Sequence, residues 1–94
     1  MALRLANDSD CIFFQFWLDD RAYDGVNCQG EIFVQLQVFS SQRKDQAYEL
    51  GSELSDQEYS VVIVKTKDNY IVGTAVQGQD WRQQTSIQKL LQNS

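Results

Sequence analysis

The feature that most constrains this chain is a pair of segments that alternate like β-strands yet are apolar on both faces. The first runs from Cys11 to Leu18 and the second from Glu31 to Phe39. In each, one set of alternate residues is wholly apolar: Ile12, Phe14, Phe16 and Leu18, then Ile32, Val34, Leu36 and Val38. Successive side chains of a strand point to opposite faces. The other face should therefore be the solvated one. It carries Phe13, Trp17, Phe33 and Phe39 among Gln15, Gln35 and Gln37.

The remaining segments supply little to cover that second face. Leu3 and Leu5 alternate with small or polar neighbours and permit a short first strand. Asp19 through Gly30 reads as a polar loop with two glycines. Ala47, Leu50 and Leu54 fall at helical spacing. Ser40 or Ser41 is placed to cap that helix, and Gly51 weakens it. Val61–Val64 and Tyr70–Val76 read as a hairpin turning at Asp68-Asn69, with Val64 opposite Gly73 and Val62 opposite Ala75. Asp80 and Gln83 suggest the cap of a last helix whose stripe is Ile87, Leu90 and Leu91.

The expected fold is thus a single α+β domain spanning residues 1–94. Its sheet is small, antiparallel and four- or five-stranded. The order is (β)ββ-α-ββ-α, with the helices mainly on one face. Two modest helices can cover one face of such a sheet but hardly both.

Four large aromatics left half exposed on the second face present about 300–500 Å² of apolar surface. Interface cores are rich in aromatics and poor in charge, as this face is. Phe13, Gln15, Trp17, Phe33, Gln35, Gln37 and Phe39 are therefore the candidate protein interface. The simplest partner is a second copy in a two-fold dimer. The competing reading packs these aromatics under the 19–30 loop, the N-terminal segment or the C-terminal helix. Register adds a further alternative, since one bulge would exchange which residues share a face.

Composition excludes much else. The chain has no His, so Ser-His-Asp and Cys-His catalysis cannot be built, and no glycine-rich phosphate loop is present. The expected function is a non-catalytic interaction module without cofactor or metal. A single-stranded nucleic-acid surface is the alternative, with Arg43, Lys44, Lys65, Lys67, Arg82 and Lys89 as phosphate contacts. The net charge of −5 argues against it. Eleven of the thirteen acidic residues lie in residues 1–60, which also fits a small acidic inhibitor or antitoxin-type protein.

Asp20, Asp24, Gly25 and Glu31 match four positions of a calcium-binding EF-hand loop. Ala22 stands where a third oxygen ligand belongs, and strand-like flanks replace the helices. No segment is long and apolar enough to span a membrane, and the first residues lack the apolar core of a signal peptide. The expected location is the cytoplasm, with Cys11 and Cys28 as reduced thiols.

Overall fold

A computed structural model describes residues 2–76 and Ile87. The described elements are β1 (Ala2–Asn7), β2 (Cys11–Leu18), β3 (Arg21–Cys28), β4 (Glu31–Ser40), α1 (Lys44–Asp56), β5 (Ser60–Lys65) and β6 (Asn69–Ala75). The strands form one mixed sheet in the order β1-β5-β6-β4-β3-β2. Among the described strands only the β1–β5 pair is parallel. The expected four- or five-stranded antiparallel sheet is therefore corrected to a six-stranded mixed one. The expected second helix lies outside the described residues, save for Ile87, which is buried in the same core as Ala47 and Leu54 of α1.

The extra strand is β3, which occupies most of the segment expected to be a loop. Two tight turns make it possible. Asp19 and Asp20 both adopt positive φ, 53° and 64°, and so do Gln29 and Gly30, 56° and 93°. Two central residues at positive φ match the right-handed twist of the flanking strands, so each pair reverses the chain within two residues. The β2–β3–β4 run is consequently a continuous meander.

A long-range constraint shapes the whole sheet. β1 and β2 are the two edge strands, yet only Asp8–Asp10 separates them. A flat six-stranded sheet would hold its edges about 24 Å apart, five gaps of about 4.8 Å each. Four Cα steps from Asn7 to Cys11 reach about 14 Å at most. The sheet must curl until its edges approach at that end. Arg4 on β1 registers the approach: its guanidinium donates to the Cys28 carbonyl at 3.2 Å, pairs with Glu31 at 3.1 Å and lies 5.9 Å from the Phe33 ring centre.

Curling gives the sheet two cores. The convex face packs α1 through Ala47 and Leu54 onto Val34, Leu36, Val61, Ile63 and Val72. Gly51 lets the helix lie close to β5, since a Cβ there would stand 2.8 Å from Ile63 Cδ1. The concave face fills itself with Val26, Cys28, Phe33, Val62, Val64, Ile71 and Ala75, closed at the rim by Ala6 and Cys11. Much of the second face is thus covered by the sheet's own strands.

Two register details differ from expectation. The β5–β6 hairpin turns at Lys67-Asp68, so Val64 faces Ile71 and Val62 faces Gly73. Thr66 drives the shift: its hydroxyl accepts from the Asn69 N–H and its own N–H donates to the Asn69 carbonyl. In β4, Gln35 pairs with Gly73 but Gln37 with Val72, so Leu36 is an extra residue in a bulge. Beyond the bulge the two faces of β4 exchange.

Candidate functional site

The bulge sorts the seven candidate interface residues into separate places. Phe13, Gln15 and Trp17 remain together on the concave side of β2. Phe33 shares that side but lies at the bottom of the concave core, 1 % exposed, beneath Arg4. Gln35 is half-buried and donates from Nε2 to the Gly25 carbonyl at 3.0 Å. Gln37 and Phe39 are carried by the bulge to the α1 side, where Phe39 sits opposite Tyr70 and packs on the convex core. Val38 takes their place on the concave side and is exposed, a change that the period-two pattern could not show.

Gln15 and Trp17 owe their position to a split in the sheet, and Phe13, opposite Val26, stands at its root. β3 pairs with β2 along its whole length but with β4 only over Gly25–Cys28. Past Gly25 the β2–β3 hairpin leaves the sheet as a two-stranded ribbon. A free ribbon is marginal in water. This one is held on its convex side, where Phe16 and Leu18 pack on the main core and Phe16 stacks on Tyr23 with ring centres 5.5 Å apart. Gly25 makes room for it, since a Cβ there would stand 2.7 Å from the Phe14 ring.

The other side of the ribbon is open. Trp17 is 74 % exposed and Phe13 43 %. Between them Gln15 donates from Nε2 to the Asp24 carboxylate at 3.1 Å. No charged residue occurs from Cys11 to Leu18, and among the described residues no strand pairs with the outer edge of β2. The root of the ribbon is fixed covalently. Cys11 and Cys28, expected as reduced thiols, are directly opposite one another and form a disulfide.

Other candidate chemistry is dispersed. Asp20, Asp24 and Glu31 do not share a calcium loop: Asp20 lies in a turn, Asp24 on β3 with Gln15, and Glu31 on β4 with Arg4. Among the described residues no group of three or more His, Cys, Asp or Glu is placed to hold a metal ion. Lys44 and Lys65 lie over the Tyr48 and Tyr70 rings beside a shallow cleft of about 260 Å³, not on the Phe13/Trp17 face. No helix among the described residues is long and apolar enough to cross a membrane.

No protein-family model, no curated protein and no solved structure matches the chain.

Proposed function

We propose that this protein is a non-catalytic interaction module that self-associates through the open side of its β2–β3 ribbon. One observation carries the reading: Phe13 and Trp17 stand exposed on an uncharged edge strand whose other side packs Phe16 and Leu18 on the core. Large aromatics at the centre of an interface are its usual energetic anchors. Gln15 adds a neutral hydrogen-bonding group between them. The aromatic surface expected from sequence is thereby narrowed to Phe13, Gln15 and Trp17, with Phe33 and Phe39 packed in the two cores, Gln35 bonded to the Gly25 carbonyl and Gln37 turned to the α1 side.

Light scattering at micromolar concentration tests the proposal. The expected mass is twice the 10.8 kDa of one chain. Trp17→Glu should give a folded monomer, with the dissociation constant raised about 30-fold or more, as for a hot-spot residue. A wild-type monomer, or a mutant as dimeric as wild type, would sink the reading. The paired cysteines fit an oxidising setting better than the cytoplasm expected from sequence. Thiol titration of protein purified under a blocking reagent should find no free thiol; two free thiols per chain would restore the cytoplasmic expectation.

A further inference from the structure

We infer that the self-associated form is a continuous sheet, built by antiparallel pairing of β2 with β2 of a second copy about a two-fold axis at Gln15. This rests on the self-association proposed above and specifies its geometry.

The hydrogen-bond phase of β2 follows from two independent observations. A two-residue turn at Asp19-Asp20 closes on a bonded pair, Leu18 with Arg21. Bonded and non-bonded pairs then alternate along an antiparallel ladder. Ile12, Phe14 and Phe16 bond to β3, whereas Cys11, Phe13, Gln15 and Trp17 do not. The 4.4 Å between the Cys11 and Cys28 Cα atoms agrees, since non-bonded pairs stand about 4.5 Å apart. The N–H and C=O groups of Phe13, Gln15 and Trp17 consequently point away from β3, along the free edge. The side chains of the same three residues form the open face.

An edge of this kind is a template for another strand. Proteins that keep such edges single use a charge, a proline or a bulge. β2 has no charge and no proline, and its pairing with β3 is unbroken.

A second copy fits because the strand is its own complement. A two-fold axis perpendicular to the sheet at Gln15 sets Gln15 against Gln15, Phe13 against Trp17, Phe14 against Phe16 and Ile12 against Leu18. Every outward N–H meets an outward C=O, amide faces amide, and apolar residues face apolar residues on both sides. Moving the axis to Phe14 sets Phe13 against Gln15 and Leu18 against Asp10, a poorer match. Seven residues joined edge to edge on each copy, with Ile12, Phe13 and Trp17 newly covered, bury on the order of 1,000 Å² in total. That is the lower range for a specific interface and suits a reversible dimer.

Three measurements test the pairing. The first follows amide hydrogen exchange of the wild-type protein with increasing concentration. Phe13, Gln15 and Trp17 should gain protection as the dimer forms, with Phe14 and Phe16 protected throughout. The second is Gln15→Pro, which removes an N–H that the monomer does not use; it should be folded by circular dichroism and monomeric where wild type is dimeric. The third is Gln15→Cys, the only free thiol in a chain whose own cysteines are paired. A short bis-maleimide should cross-link it across the axis, since the thiols of a bonded pair stand too far apart for a direct disulfide.

If Trp17→Glu is a monomer while Gln15→Pro stays dimeric and the amides do not change, the copies meet by their faces. The edge pairing then falls and the self-association stands. A dimer in which Gln15→Cys fails to cross-link overturns the axis at Gln15. A wild-type monomer removes both. Should Gln15→Pro fail to fold, the wild-type exchange pattern decides alone.

Discussion

Phe33 and Trp17 look alike in the sequence, each an aromatic on the polar-looking side of a doubly apolar strand. The structure separates them, with 1 % of one exposed and 74 % of the other. Phe33→Ala should therefore lower unfolding stability by about 3–5 kcal/mol, a core truncation. Trp17→Ala should shift the monomer by no more than about 0.5 kcal/mol. Urea titrations of the two variants, under monomeric conditions, check the contrast; equal losses would refute it. Alternation tells which face a side chain takes but not where along a curved sheet that face closes. Phe33 is covered because Arg4, from the opposite edge, reaches over it. Nothing in the local sequence encodes that contact. Gly25 shows the same limit: it reads as a loop breaker, yet its missing Cβ seats the Phe14 ring. Gly25→Ala should destabilise by about 1–3 kcal/mol through overpacking, measured as a lower urea midpoint.

Single elements were more legible than their pairing. The apolar alternation marks both greasy strands, read as Cys11–Leu18 and Glu31–Phe39, and the spacing of Ala47, Leu50 and Leu54 marks the core side of α1, where Ala47 and Leu54 are buried and Leu50 partly so. The β5–β6 hairpin was readable too, although its register slid because Thr66 hydrogen-bonds the turn. β3 was missed because Asp24, Gly25 and Asn27 are turn formers by composition. Their surroundings decide otherwise. Two tight turns hold them in line, and Asn27 Oδ1 accepts from the Gly30 N–H at 2.9 Å to secure the second. The disulfide then ties the first and last residues of this β2–β3 unit. Closing a loop of that size should contribute about 3 kcal/mol through the unfolded chain. Reduction, or a paired Cys11→Ser and Cys28→Ser change, should lower the urea midpoint accordingly. An unchanged midpoint would mean that the bridge adds nothing to the fold.

Charge acts on the molecule as a whole. Each copy carries −5, and acidic residues flank both ends of the neutral β2: Asp8 and Asp10 before it, Asp19 and Asp20 after it. Antiparallel pairing brings the leading cluster of one copy toward the trailing cluster of the other. Exposed like charges repel weakly and are screened by salt. Dimerisation should therefore tighten several-fold between low and physiological ionic strength, read by sedimentation equilibrium. Weakening with salt would contradict the arrangement. The curl that leaves β2 exposed was the least legible feature, because it arises from a three-residue link between strands that never pair with each other. That link also sets the order of assembly. β2, β3 and β4 can zip locally as soon as they leave the ribosome. β1 has no partner until β5 is made, since Ala2 must find Ser60. Such distant contacts are slow to form. β1, made before the other five strands of the sheet, is therefore among the last to find its place.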